Sequence, residues 1–212
     1  AQIKNRQGLA KKAGMPVIIC GGITAKSKPV PGVNNYKAFM TKSVGEMFFT
    51  ESASFSKAAK RYKRKLLHVH CEDHAIIEGD ASRPPHAEVK AIFEALAIAK
   101  KHKLRMHICH LSTAEGAKLV AEAKRSGQQV SCEVTPHHLY FDTMNVSSFA
   151  QAPFIKMNPP LRSPSDRKAL LHAFNIGLID ALGTDHAPHT AQEKKTSNPS
   201  GVPQLDTFGP FV

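Results

Sequence analysis

Apolar residues along this chain switch regularly between two periods. Ala1–Ala13 follows a helical repeat with Ile3 and Leu9 on the inner side, and it stops at Gly14. Met15–Gly21 is a short, nearly continuous apolar run, which predicts a strand covered on both faces. Further strands are predicted at Asn35–Met40, Leu66–Cys71, Leu104–Cys109, Gln129–Val134 and Leu178–Gly183. Between them lie predicted helices at Ser54–Lys65, Pro84–His102, Thr113–Ser126 and Ser163–Phe174. In Pro84–His102 the residues Val89, Ile92, Phe93, Leu96 and Ile98 fall near one face. Ser163 or Ser165 offers the N-cap of the last helix, with Asp166 in its first turn.

Strands alternating with helices at this spacing imply a parallel α/β sheet, either doubly wound or closed as a barrel. The polar residues decide between the two. Lys37, His68 and His70, His107 and His110, His137 and His138, and Asp185, His186 and His189 all sit on or just past successive strands. Ionisable groups at many strand C-termini are how a (β/α)8 TIM barrel builds a site, whereas a doubly wound sheet concentrates its chemistry at one switch point. No Gly-rich phosphate loop occurs, so the barrel is favoured.

Composition narrows the class. The 212 residues are 42% hydrophobic and 22% charged, which excludes disorder as the main state. Apolar runs such as Pro16–Cys20 are too short to span a bilayer, and Ala1–Lys12 is too polar for a secretory signal. The net charge of +12 is spread over helical faces, densest at Lys57–Lys65, with no aromatic or zinc-finger pattern beside it, so neither a nucleic acid nor a membrane is the expected partner. Cys20, Cys71, Cys109 and Cys132 form no CxxC pair, which points to free thiols in a reducing cytoplasm. The first residue is Ala and the last run is the apolar Phe208–Val212, so both ends are expected to be cut from a longer polypeptide.

The chemistry of a site follows from imidazoles and carboxylates on different strands. Lys37, His70, His110 and Asp185 are spaced by 33, 40 and 75 residues, distances that only a barrel brings together. Nitrogen and carboxylate donors with an open position suit zinc, whose bound water ionises near neutral pH. Asp185 is placed to take and return a proton. Taken singly, His68, His102 and His107 read as satisfied polar residues, and Asp185 as a turn cap. The set carries the argument.

Six ordered motifs resemble those of the dihydroorotases of the amidohydrolase superfamily: Lys37-Ala38-Phe39-Met40, His70-Cys71-Glu72-Asp73, His107-Ile108-Cys109-His110-Leu111-Ser112-Thr113, Cys132-Glu133-Val134-Thr135-Pro136-His137-His138-Leu139, Met157-Asn158-Pro159-Pro160-Leu161-Arg162 and Gly183-Thr184-Asp185-His186-Ala187-Pro188-His189. The resemblance implies reversible hydrolysis of L-dihydroorotate to N-carbamoyl-L-aspartate in pyrimidine synthesis, with an allantoinase- or hydantoinase-type amidase, or an inactive scaffold domain, as alternatives. It implies two zinc ions bridged by a carboxylated Lys37, whose burial is expected to favour the neutral amine. His70, His110 and Asp185 would be further ligands, with Asp185 also the catalytic acid/base. Asn158, His189, Ser200 and Gly201 would bind substrate, and His137 and His138 would support the ligands from outside. The implied partners are the small anionic substrate and a homo-oligomeric copy or another pyrimidine-pathway enzyme.

One departure matters. The family's His-x-His before the lysine is absent here, and His68-Val69-His70 falls on a later strand. Met15–Gly21 then matches the third strand, so residues 1–212 are expected to form an incomplete barrel of strands three to eight. Such a chain should expose Val17 and Ile19, be poorly soluble or oligomeric, bind at most one zinc and lack activity on its own.

Overall fold

The computed structural model describes residues 2–12, 14, 16–43, 45–149 and 154–211. Among the described residues, six parallel strands are β1 (Cys20–Gly22), β2 (Asn35–Phe39), β3 (Leu66–His70), β4 (Arg105–Ile108), β5 (Val130–Val134) and β6 (Ala181–Leu182). They lie side by side in chain order, each pairing with the next. A doubly wound sheet reverses its order at a switch point. This one never does, so it is wound as a barrel wall, left open because β1 and β6 do not pair with each other.

Flanking helices are α1 (Gln2–Lys12), α2 (Ser52–Ala59), α3 (His74–Gly79), α4 (Pro85–His102), α5 (Ala114–Arg125), α6 (Pro136–Tyr140), α7 (Pro164–Asn175), α8 (Ala191–Thr196) and α9 (Leu205–Phe211). Helices α3, α5, α6 and α7 each begin with a side chain that caps the N-terminus: Asp73 accepts from the Ile76 amide, Thr113 from Gly116, Thr135 from His138 and Ser163 from Asp166. Ser163, not Ser165, caps α7. Among the described residues no helix is long and apolar enough to cross a membrane.

Burial alternates along the strands, as a half-covered sheet requires. Tyr36 and Ala38, Leu67 and Val69, Met106 and Ile108, and Cys132 and Val134 point outward and are buried in the hydrophobic core. Each fully buried Leu or Ile contributes about 1.5–3 kcal/mol. Asn35, Lys37, Phe39, His68, Ser131 and Glu133 face the other way and stay half-buried.

Three sequence expectations change. The predicted strand Met15–Gly21 pairs only over Cys20–Gly22; Pro16–Ile19 lies outside the ladder, with Val17 44% and Ile18 77% exposed, and Met15 is outside the described residues. Leu9 is exposed rather than inward. In α4 the seam is made by Ala87, Ala91, Ala95 and Ala99 with Ile92, Leu96 and Ile98, while Phe93 is 62% exposed. Small residues four apart bring the helix close to the sheet, and Phe93 falls off that stripe because it is one residue, or 100°, from Ile92.

Candidate active site

The C-terminal strand ends converge on two imidazoles. His70 closes β3, and its Nδ1 lies 3.1 Å from Nε2 of His110, just past β4. The other nitrogen of His70, Nε2, is 2.7 Å from Oε2 of the fully buried Glu72. Arg83 in turn donates to both Glu72 oxygens from Nε, at 3.0 and 3.1 Å, and also from Nη2. Burial drives both imidazoles below the ordinary histidine range, so they are neutral. His110 has φ +39° and Asp185 φ +45°, left-handed conformations that non-glycine residues keep only where surrounding structure holds them.

This pair fits a transition metal. Two zinc-bound nitrogens at ~2.0–2.1 Å in a tetrahedron lie about 3.3 Å apart, near the separation seen here. A carboxylate on the far nitrogen of His70 fixes which nitrogen is free to ligate. Among the described residues, however, no three His, Cys, Asp or Glu side chains gather closely enough to hold an ion. The structure brings His70 and His110 together and leaves Asp185 out of their cluster.

Asp185 belongs instead to a second group on the inward face, with Lys37, Cys109 and Glu133. Burial lifts the Asp185 carboxyl to about 6, Lys37 opposing and Glu133 reinforcing the shift. Lys37 corrects an expectation: burial pulls its ammonium down, but Cys109, Glu133 and Asp185 outweigh that and raise it above the ordinary lysine value. The side chain is therefore an ammonium held by the Glu133 and Asp185 carboxylates, 5.2 Å over the Phe39 ring. Cys109, hydrogen-bonded to Lys37, is pushed up to about 11 by burial.

Glu133 is a site residue the sequence reading passed over. Its Oε2 lies 3.3 Å from Nε2 of His107, whose Nδ1 is 2.8 Å from the Ser131 hydroxyl. Gly183 makes room for it, since a Cβ there would sit 2.6 Å from the Glu133 carboxyl carbon. The signal was a glycine two residues before Asp185, opposite an acidic residue on the neighbouring strand.

The four residues assigned to substrate fall on segments tied to one another. His189 Nε2 is 3.2 Å from the Ser200 carbonyl, and the Gly201 amide donates to the Lys156 carbonyl at 2.8 Å, two residues before Asn158. The His186–Val202 bridge and the Ala187 amide on the Val202 carbonyl hold the same strap. His138 supports this wall: its Nε2 meets the Pro159 carbonyl at 3.1 Å and its Nδ1 the Thr135 hydroxyl at 2.7 Å. His137 packs on His138 and takes its partner from Gln204. Gly201 has φ +135°, and a Cβ there would stand 2.6 Å from the Ala187 carbonyl oxygen. Gly201→Ala is expected to cost about 1–3 kcal/mol in strain and to break the strap locally, which amide exchange at Ala187 and Gly201 will register as lost protection.

No protein-family model matches the chain. Over 210 residues, 99% of this chain and 48% of the relative, it is 37% identical to a dihydroorotase of Pyrococcus furiosus. A dihydroorotase of Thermococcus kodakarensis is 38% identical over 172 residues, covering 81% of this chain and 39% of the relative. Among solved structures, an L-hydantoinase (dihydropyrimidinase) from Arthrobacter aurescens superposes with a TM-score of 0.80 at 25% identity, over 97% of this chain and 53% of that one. The chain thus spans about half the length of the curated relatives it matches. An inward row of ionisable groups on a barrel wall wound in chain order is the arrangement of the amidohydrolase superfamily, to which these cyclic-amide hydrolases belong. Within it, the curated relatives that match nearly the whole of this chain are dihydroorotases.

Proposed function

We propose that these 212 residues form strands three to eight and most of the active-site wall of a dihydroorotase, interconverting L-dihydroorotate and N-carbamoyl-L-aspartate. The observation that carries this reading is similarity to dihydroorotases across nearly the whole chain, with the His70–His110 pair falling on matched strand ends. His70, His110, Asp185 and a carboxylated Lys37 would hold two zinc ions. Zinc, when bound, supplies Lewis-acid polarisation of the ring amide and ionises water near neutral pH.

The chain's own residues do the rest. Glu72 holds His70 in the tautomer that leaves Nδ1 free to ligate. Asp185, with its carboxyl raised to about 6, is mostly ionised at neutral pH and accepts the proton of the attacking water. It then returns that proton to the ring nitrogen as the amide bond opens. Glu133 and Asp185 hold the Lys37 ammonium, and carboxylation of Lys37 first requires that it give up a proton. Asn158, His189 and the Ser200–Gly201 backbone are the proposed contacts for the anionic substrate. The four free thiols suit a reducing cytoplasm.

Turnover of L-dihydroorotate, hydantoin and allantoin tests the assignment. Activity is expected on dihydroorotate alone, in a polypeptide or mixture that also supplies the two missing strands and their His-x-His pair. The 212-residue chain by itself is expected to bind at most one zinc and to be silent. Two tightly bound zinc ions with turnover by this chain alone would show the missing ligands to be misplaced. Zinc binding without turnover of any of the three, in the completed barrel, would favour the scaffold reading.

A further inference from the structure

Lys194 is buried, 7% exposed, and its ammonium meets no carboxylate in any ion pair among the described residues. Its Nζ donates instead to two backbone carbonyls from separate segments, Pro199 at 2.7 Å and Lys156 at 3.4 Å. Burying an ammonium without a counter-charge is costly, so an apolar side chain would serve better if the position only filled space. What an apolar side chain cannot do is donate to both carbonyls at once.

Those two carbonyls sit at consequential places. Pro199 precedes Ser200 and Gly201, and Lys156 lies two residues before Asn158. The Lys156 carbonyl is a shared node, accepting also from the Gly201 amide at 2.8 Å. Lys194 is itself fixed from both sides. Its helix α8 starts right after His189 with a capping box, in which Thr190 and Glu193 exchange bonds of 2.8 to 3.2 Å. The helix ends where the Ser197 and Asn198 amides both donate to the Glu193 carbonyl at 3.0 Å, and Asn198 at φ +42° turns the chain back over the ammonium.

We propose that Lys194 is a positioning residue for the substrate. It joins the Pro199–Gly201 strap, the Lys156–Asn158 segment and the turn after His189 into one preformed wall. An anionic cyclic ureide then meets Asn158, His189 and the Ser200–Gly201 backbone as a set, without first ordering them. This rests on the function proposed above. Without the ammonium, each binding event bears the ordering cost, which falls on KM and leaves kcat alone.

The test compares Lys194→Met and Lys194→Arg in the complete dihydroorotase that carries this segment, by steady-state kinetics and by amide hydrogen exchange. Lys194→Met is expected to raise KM for L-dihydroorotate by about tenfold or more with kcat within about twofold, while Lys194→Arg, which keeps two donors, stays within about threefold of wild type on KM. Exchange should rise at Ser200–Val202 in the Met variant and stay unchanged in β2 to β5. An unchanged KM with unchanged exchange overturns the proposal. So does a fall in kcat at constant KM, or faster exchange throughout the sheet, which would mark Lys194 as a general stability residue. A wild type silent on dihydroorotate would refute the functional reading, and the exchange arm would still decide the strap.

Discussion

Glu72→Gln should destabilise this chain by about 3–5 kcal/mol at neutral pH, because it leaves the Arg83 guanidinium without its counter-charge in a mostly buried setting. The Glu72 side chain is completely buried and that of Arg83 only 11% exposed. Burial alone would raise the Glu72 carboxyl, but the bonds from His70 and Arg83 outweigh it and hold the group at about 2 against an ordinary 4.5. A depressed carboxylate contributes stability that is complete above its ordinary value and is lost as pH falls toward its folded value. Urea melts should therefore show wild type losing its advantage over the Gln variant between pH 4.5 and 2. The same substitution replaces the carboxylate that orients His70 with a neutral amide, so zinc affinity at the proposed site should fall about 10–100-fold. Superimposable melts at pH 7 would mean that the buried pair contributes nothing.

The second large effect lies one helix away. Glu88, on the buried stripe of α4, accepts from the Ser112 amide at 3.0 Å, the Thr113 amide at 3.1 Å, the Thr113 hydroxyl at 2.8 Å and the Ser112 hydroxyl. Arg162 stands 3.7 Å away and donates to the Ser112 hydroxyl and the Arg83 carbonyl. Glu88→Ala strands those donors and the guanidinium together, for an expected loss of about 3–5 kcal/mol. In a domain of this size that lowers the thermal midpoint by about 10 °C. Glu88→Gln keeps an acceptor for the amides and should cost less. Burial raises the Glu88 carboxyl despite Arg162, the opposite sign to Glu72. Wild-type stability from this group is complete below the ordinary carboxylate value of 4.5 and declines as pH rises above it, so the deficit of Glu88→Gln should shrink as pH is raised from 4.5. Calorimetry of both variants across pH checks the magnitude and the sign.

These charges show where sequence reasoning stops. The βα alternation, His70 and His110 were legible, because a period of two and the residue that ends a strand are local properties of the chain. Glu72 with Arg83, Glu88 with Ser112 and Arg162, and Glu133 with His107 are pairings across 11 to 74 residues, which no periodicity encodes. Helices α3, α6 and α8 have five or six residues, too few for a repeat to emerge, and only their caps Asp73, Thr135 and Thr190 announce them. Lys37 stands out in the sequence, but its charge does not, since the sign of its shift depends on Glu133 and Asp185 arriving from other strands. Pro16–Ile19 misled because an apolar run records a tendency to be covered, whereas a ladder also needs partners in register.

The strictly sequential order of the sheet also bears on how the chain is made. Every strand from β2 onward finds its partner among residues already synthesised, and that partner is always the strand just before it. Folding can therefore keep pace with translation, one βα unit docking as the next leaves the ribosome, at roughly 5–20 residues per second. Closing each unit spans one crossover of 12 to 46 residues rather than the whole polypeptide, which limits the entropic barrier of each step despite the parallel pairing. An arrest at any point strands only the newest unit, and the nascent sheet behind it is already laddered.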